Sequence, residues 1–328
     1  MRSPTQPSVD ADDIAEIVRD GLGLGVSSPA SSSPALSSPA LSSPAVELSG
    51  GGFAAVWRAT LTDGREVVIK VGPPPAARLL SYEAGLLPAE VEYYGLVRGR
   101  APVPEVLASS FSLARDPEVR PSSDWIISTL LPGRPLTEGD SVLARRQLGA
   151  AIARVHEITG PHFGYTGDRP SAADWPTAFA AILDSLRADA AEWNVPLPPL
   201  DGLVARHHRL LATVTRPALL HFDLWDGNVL VAPDGSLSGL VDGERYLYGD
   251  PLLDFVSPAL FQRITPAHPF AAGYGVTDFT PEEQTRIALY RVHLYVLMLA
   301  EQPSRGMPLT GGRHDHVTKL LEAELEEL

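Results

Sequence analysis

Residues 218–255 restrict the fold of this chain more than any other segment, because short apolar runs alternate there with many polar side chains. Two of the apolar runs flank the turn sequence Pro-Asp-Gly-Ser at 233–236, which predicts a β-hairpin. If the hairpin is centred on Gly235, Asn228 and Asp242 lie opposite each other at its open end. Opposed side chains have Cβ atoms about 4.5–5.5 Å apart, so this pair could share a hard cation such as Mg²⁺ with phosphate oxygens.

A third oxygen-bearing side chain precedes this pair. Asp223 lies five residues before Asn228, on the loop that enters the hairpin, and His221 ends the strand before that loop. A carboxylate in this place suits a base that orients a hydroxyl nucleophile. Each of these residues alone is also typical of an ordinary turn. Together, however, His-x-Asp-x-x-x-x-Asn followed 14 residues later by Asp242 has the spacing of a kinase catalytic loop and its metal-binding Asp.

At this point the sequence resembles the aminoglycoside phosphotransferase family, kinase-like enzymes that phosphorylate small molecules. The family's usual pattern, H-G-D-x-x-x-x-N, I-D-W-E and G-D-P-x-x-D, is present here as HFDLWDGN, VDGE and GDPLLD. The resemblance covers about residues 46–300. Two positions depart from it: Phe222 replaces the common Gly, and Gly243 replaces the usual aromatic residue. Neither change removes a group with a role in the chemistry, but Gly243 could alter the packing beneath the metal site.

The resemblance implies a glycine-rich hairpin over the phosphates and then a strand that carries a lysine. Gly50, Gly51 and Gly52 precede a predicted strand at 53–60, and glycine lets the backbone approach phosphate closely. Lys70 ends the run VVIK, which is the position of the strand lysine that contacts the α- and β-phosphates.

The carboxylate partner of Lys70 has two candidates. Glu90 is preferred to Glu83, because EVEYYGLV followed by APVPEVL resembles the family's glutamate helix and the Pro-x-Pro strand after it. The segment WIISTLLPGRPL resembles the connection between the two lobes, where backbone groups of Thr129–Leu131 would bind adenine.

Hydrophobic periodicity, turn residues and helix caps predict the remaining elements. They are a helix at 10–19, strands at 53–60 and 66–71 around a Thr-Asp-Gly turn, a helix at 81–97 with a break or restart at Pro88, a strand at 125–130, a helix at 143–158, two helical pieces within 174–214, a helix from Pro281 to about 300 capped by Thr280, and a tail helix at 317–328.

Element order and resemblance together imply an α+β, protein-kinase-like fold of two lobes. A small antiparallel β-sheet lobe would precede a larger, mainly helical lobe that carries the hairpin. The predicted boundaries are 1–26 for an N-terminal helix and lead-in, 27–46 for a Ser/Pro/Ala-rich segment, 47–130 for the nucleotide-binding lobe and 131–328 for the catalytic and acceptor-binding lobe. Repeats of Ser-Ser-Pro-Ala bury too little apolar surface to order, so 27–46 is predicted to be a flexible connector.

Charge and composition exclude several classes of function. The chain has 26 Lys and Arg against 40 Asp and Glu, a net charge of −14, which argues against a nucleic-acid partner and gives no support to binding at anionic membranes. It contains no cysteine, which excludes thiolate zinc sites and thiol nucleophiles. The longest apolar run, at 294–300, is too short to span a bilayer, and a cytoplasmic protein is expected. The oligomeric state stays open.

The resemblance implies transfer of the γ-phosphoryl group of ATP or GTP, with Mg²⁺, to a hydroxyl of a small molecule. Asp223 would accept the hydroxyl proton, and Asn228 and Asp242 would hold the metal. The main hypothesis is an aminoglycoside or related antibiotic as acceptor, since an acidic protein is compatible with a cationic acceptor. The alternatives are a metabolic kinase for a sugar, amino alcohol or similar acceptor, and a nucleotide-binding regulator without catalysis. The regulator is disfavoured because every expected catalytic group is present.

Overall fold

The computed structural model describes residues 3–24, 45–48, 52–111 and 124–328. Predictions for Gly50, Gly51 and most of the Ser/Pro/Ala-rich segment therefore lie outside the described residues. The chain divides into two compact units, Met1–Arg78 with Pro104–Leu130 and Leu79–Val103 with Leu131–Leu328. Residues 79–103, which the prediction placed in the nucleotide-binding lobe, belong to the second unit in this division.

The described strands of the first unit form a five-stranded antiparallel sheet with one helix against it. Its elements are α1 (Ala11–Leu22), β1 (Val46–Leu48), β2 (Ala55–Thr60), β3 (Glu66–Val71), β4 (Val106–Ser110) and β5 (Trp125–Thr129). The order across the sheet is β1-β2-β3-β5-β4. The predicted Asp-Gly turn closes the β2–β3 hairpin, with Gly64 at φ 88°.

Helix α1 packs its apolar stripe on this sheet. Asp10 caps the helix by accepting the backbone N–H groups of Asp12 and Asp13 at 2.9 and 3.0 Å. Ile14 and Val18 are fully buried in the same cluster as the inward-facing side chains of β2 and β3. The helix extends three residues beyond the predicted end, because the left-handed residue that ends it is Gly23.

The second unit is mainly helical and carries two small sheets. Its elements are α2 (Leu86–Val97), β6 (Arg134–Pro135), α3 (Val142–Val155), β7 (Phe163–Gly164), β8 (Ser171–Ala172), α4 (Trp175–Glu192), α5 (Leu203–Arg206), α6 (His208–Leu211), β9 (Ala218–Leu220), β10 (Val229–Val231), β11 (Leu237–Leu240), β12 (Leu247–Gly249), α7 (Pro269–Tyr274), α8 (Pro281–Ala300) and α9 (Gly312–Glu327). The sheet orders are β11-β10-β6 and β8-β7-β12-β9.

Helix α8 forms the centre of this unit and packs against α4 and α9. Its predicted start is confirmed, since Glu283 N–H donates to the Thr280 hydroxyl at 3.2 Å and Thr280 N–H donates to the Glu283 carboxylate at 2.9 Å. Every residue from Ile287 to Ala300 is buried. Among the described helices, none is long and apolar enough to cross a membrane.

The helix that was predicted to break or restart at Pro88 starts again at Leu86 instead. A 3₁₀ turn covers Ser81–Glu83, and α2 starts after Gly85, whose φ of 72° ends the preceding turn. Pro88 then lies in the first turn of α2, where its missing N–H would have no helical partner.

Candidate active site

The predicted hairpin forms as β10 and β11, but at its open end the register differs by one residue from the prediction. Val229 pairs with Leu240, whereas Val231 pairs with Leu237, so the second strand has a bulge. Asn228 therefore lies opposite Val241, whose N–H donates to its carbonyl at 3.0 Å, and Asp242 is the next residue. The prediction that Asn228 and Asp242 face each other directly is wrong, because the turn is centred on Asp234 rather than Gly235, with the Ala232 N–H donating to the Ser236 carbonyl at 2.9 Å. The bulge on β11 then shifts the pairing by one residue, so that Val241 lies opposite Asn228.

The loop that enters the hairpin is anchored by a buried carboxylate that follows the anchored residues by 32 and 33 positions in the chain. Asp254 accepts the backbone N–H groups of His221 at 3.0 Å and Phe222 at 2.6 Å. His156 is buried, and its Nε2 lies 3.0 Å from the same carboxylate, so His156 also takes part in this anchor. Asp254 is in the GDPLLD motif, but the spacing of that motif did not predict its role.

His221 links the loop to the hairpin through hydrogen bonds of both ring nitrogens, and these bonds define its tautomer. The N–H of Asp223 donates to His221 Nδ1 at 3.2 Å, so the ring proton is on Nε2, which donates to the Val241 carbonyl at 3.1 Å. Burial lowers the pKa of His221 below its ordinary value, which keeps the ring neutral.

Asn228 holds Asp223 from the other side. Its Nδ2 donates to the Asp223 carbonyl at 2.9 Å, so its Oδ1 is the atom that can bind a metal. Asp242 supplies a carboxylate at the neighbouring strand end, and an amide oxygen with a carboxylate is a donor set that suits Mg²⁺. The residues present therefore fit this ion.

Sequence reasoning missed Arg245, which contacts the proposed base. Its Nε lies 3.8 Å from Asp223 Oδ2, and its Nη2 donates to Glu301 Oε1 at 2.7 Å. Its guanidinium also stacks over the Tyr82 ring at 5.5 Å. Burial raises the pKa of Glu301, and Arg305 partly offsets this effect. The motif VDGER offered no signal for the role, since Glu301 is 56 residues away.

The backbone conformation at Phe222 explains why the family usually has glycine at this position. Its φ is 71°, in the left-handed region that disfavours most side chains. The ring is buried and packs on His293 with 5.0 Å between ring centroids. Burial of this ring offsets the backbone cost in this chain.

We expect His293→Leu to remove an acid sensitivity of the fold. Neither ring nitrogen of His293 has a hydrogen-bond partner within the described part of the chain, and burial lowers its pKa from 6.5 to about 3. Between these values only the unfolded state binds the proton, so stability falls as the pH falls, by about 1.4 kcal/mol per unit. Urea unfolding should show that wild type loses about 2 kcal/mol more than the variant from about pH 7.5 to about pH 5. Equal losses in both proteins would contradict this prediction.

The second departure, Gly243, does alter packing. A Cβ atom added at Gly243 would lie 2.1 Å from Cδ1 of Tyr93, so the Tyr93 ring occupies the adjacent space. Tyr93 also contacts His221 edge to face, at 5.2 Å between centroids. Helix α2 therefore supplies an aromatic ring beside the loop that carries the predicted metal ligand Asp242.

The two candidate glutamates, Glu83 and Glu90, both belong to the second unit and have different partners. Glu83 forms an ion pair with Arg305 and accepts the N–H of Leu80 at 2.8 Å. Glu90 is buried on α2 and accepts the Tyr94 hydroxyl at 2.5 Å. The engagement of Glu83 with Arg305 supports Glu90 as the partner of Lys70, which stays a prediction.

The first unit carries the other predicted residues. Lys70 is on the central strand β3, paired with Val56 and Ile126, on the face opposite the α1 core. Gly52 accepts the Thr5 hydroxyl at 2.9 Å through its carbonyl, a contact that sequence reasoning did not predict.

The predicted adenine-binding segment spans the boundary between the two units. Thr129 ends β5 in the first unit, and its N–H donates to the Glu105 carbonyl at 2.9 Å. Leu131 belongs to the second unit, where its side chain packs over Gly239. Adenine binding by this segment stays a prediction.

Residues 45–288 match the family described as Phosphotransferase enzyme family, APH, and the chain belongs to this family. The matched range contains the loop, the hairpin and Lys70. The predicted family and the predicted kinase-like α+β fold are therefore confirmed.

The chain is also similar to individual proteins, at low identity or over part of its length. It is 30% identical over 123 residues to an Escherichia coli K12 protein named "Probable ketoamine kinase YniA", a match that covers 34% of this chain and 42% of that protein. The match thus spans less than half of this relative. A candidate fructosamine-3-kinase from Thermobifida fusca has a similar fold, with a TM-score of 0.64, 22% identity and coverage of 96% of this chain and 99% of that one. Spectinomycin phosphotransferase APH(9)-Ia, solved with ADP and spectinomycin, has a TM-score of 0.54 and 15% identity over 97% of this chain and 95% of its own.

Proposed function

We propose that this protein is an ATP-dependent kinase that phosphorylates a hydroxyl of a small sugar-derived amine of the ketoamine class. The observation that carries the kinase assignment is the loop anchored by Asp254, which presents Asp223 and Asn228 at the end of a hairpin that continues into Asp242. The name of the Escherichia coli relative favours the metabolic alternative over an antibiotic acceptor. A fold neighbour that binds ADP supports an adenine nucleotide as donor.

Asp223 would act as the base. The acceptor hydroxyl oxygen forms a bond to the γ-phosphorus, the bond from that phosphorus to the β–γ bridging oxygen breaks, and the hydroxyl proton passes to the Asp223 carboxylate. The chain holds this residue by its N–H through His221 and by its carbonyl through Asn228. Arg245 restrains the carboxylate from a third direction. Positioning of this kind supplies most of the rate in phosphoryl transfer.

The metal would be held by Asn228 Oδ1 and the Asp242 carboxylate. Bound Mg²⁺ would neutralise negative charge on the phosphate oxygens. Lys70 is proposed to contact the α- and β-phosphates with Glu90 as its partner, and Gly50, Gly51 and Gly52 to cover them. Backbone groups of Thr129–Leu131 are proposed to bind adenine. The family resemblance supports these roles.

An acceptor panel tests the proposal. ATP consumption should be measured with a fructosamine or other ketoamine, with the free sugar and free amine from which it is built, and with aminoglycosides. We expect turnover on the ketoamine and at least about tenfold less on the separate components, because binding energy from both halves of the acceptor contributes to the rate. Turnover on aminoglycosides alone would overturn the acceptor class, and no turnover on any hydroxyl would overturn the kinase assignment.

A further inference from the structure

Helix α2 places a hydroxyl between two of the proposed functional residues. Glu90 and Tyr94 are one helical turn apart, and the Tyr94 hydroxyl donates to Glu90 Oε1 at 2.5 Å. The same hydroxyl oxygen accepts the backbone N–H of Asp242 at 3.1 Å. Tyr94 is buried, and all three residues belong to the second unit.

Asp242 needs support of this kind. Its backbone lies in the left-handed region, at φ 60° and ψ 51°, which is unfavourable for a residue with a side chain. Such a conformation persists only where the surroundings hold it. Tyr94 holds the N–H of Asp242, while the neighbouring Tyr93 ring fills the space above Gly243. One helix therefore fixes two consecutive residues of the metal-binding loop.

We propose that Tyr94 is a positioning residue that couples the Glu90 carboxylate to the proposed metal ligand Asp242. Because one hydroxyl bonds to both groups, a shift of the Glu90 carboxylate is transmitted to the Asp242 backbone. The adjacent Tyr93 supplies the ring that the family usually carries at position 243. This inference rests on the proposed function, which assigns Glu90 to the nucleotide and Asp242 to the metal.

The chain offers a matched control on the same helix. Tyr94→Phe and Tyr93→Phe each remove one oxygen from a buried tyrosine. Within the described ranges, the Tyr93 hydroxyl has no hydrogen-bond partner, whereas the Tyr94 hydroxyl bonds to both Glu90 and Asp242. A difference between the variants therefore reports the hydroxyl bridge rather than the loss of an oxygen from the core.

Two measurements test the coupling. The first is the free Mg²⁺ concentration that gives half the maximal rate, and the second is Mn²⁺ binding to the enzyme–ADP complex by electron paramagnetic resonance. For Tyr94→Phe we expect both constants to weaken by about tenfold, as for loss of a charge-assisted hydrogen bond, with the acceptor KM within about twofold of wild type. Tyr93→Phe should leave the Mg²⁺ constant, the Mn²⁺ binding constant and the acceptor KM within about twofold of their wild-type values. A general loss of stability would not shift the metal constants selectively.

Equal Mn²⁺ binding by the two variants would overturn the coupling. If wild type transfers phosphate to no acceptor, the proposed function fails, but Mn²⁺ binding with ADP still decides the role of Tyr94.

If Tyr94→Phe does not fold, amide hydrogen exchange of the wild type remains as a test. The Asp242 amide should exchange about a hundredfold more slowly than in an unstructured peptide, since it is hydrogen-bonded to the hydroxyl of a buried tyrosine. Exchange at the unprotected rate would overturn the proposal.

Discussion

Replacing Asp223 by Asn should lower kcat by about two to four orders of magnitude and leave nucleotide affinity within a few-fold. The amide has the size of the carboxylate but cannot accept the hydroxyl proton. The backbone bonds that hold residue 223, from its N–H to His221 and from Asn228 to its carbonyl, do not involve its side chain. The loop should therefore keep its shape, and the loss should fall on the chemical step. Steady-state kinetics with the best acceptor of the panel and titration with ADP measure the two quantities.

Asp226 provides the control on the same loop. Its carboxylate is 35% exposed and pairs with Arg145 at 2.7 Å, and such partly exposed pairs contribute about 0–1 kcal/mol. Asp226→Asn should therefore change kcat by no more than about twofold, because the side chain has no part in the proposed transfer. An Asp223→Asn enzyme as active as this control would mean that another group takes the proton.

Asp254→Asn should lower the free energy of unfolding by about 3 kcal/mol or more and also reduce the kcat of the protein that remains folded. The carboxylate accepts the two backbone N–H groups of His221 and Phe222 and contacts His156. An amide at this place turns one acceptor into a donor, so at least one buried N–H loses its partner. The loop that carries Asp223 would then lose its anchor. Urea unfolding gives the stability, and kinetics on the folded protein gives kcat.

The Asp250→Asn variant distinguishes the effect of losing the loop anchor from the effect of a general loss of stability. Asp250 is a second buried carboxylate of the same motif, but it accepts the Tyr290 hydroxyl at 2.7 Å and the Leu252 N–H at 3.1 Å rather than the catalytic loop. Its replacement should also cost stability, yet the kcat of the folded protein should stay near wild type. If both variants lose kcat equally, anchoring of the loop by Asp254 is not what sets the rate.

Local signals predicted much of the architecture. The cap at Thr280, the Asp-Gly turn before β3 and the alternation of β3 around Lys70 depend on residues within a few positions of each other, and all three are confirmed. The hairpin register was predicted incorrectly, because the turn is centred on Asp234 rather than on Gly235. The turn sequence alone did not specify this centre, and it did not specify the bulge on β11, which depends on the pairing of the two strands. The break before α2 was misplaced for a similar reason, since proline is compatible with a first helical turn.

The sequence by itself determined the family, the two-lobe class and the spacing of Asp223, Asn228 and Asp242, because these depend on the order of residues along the chain. Only the tertiary structure decided what holds them. Asp254 anchors Phe222 of the loop from 32 residues away, and Tyr94 reaches Asp242 across 148 positions. Such contacts arise when buried polar groups find partners during packing, and a partner's position in the chain carries no signal of that event.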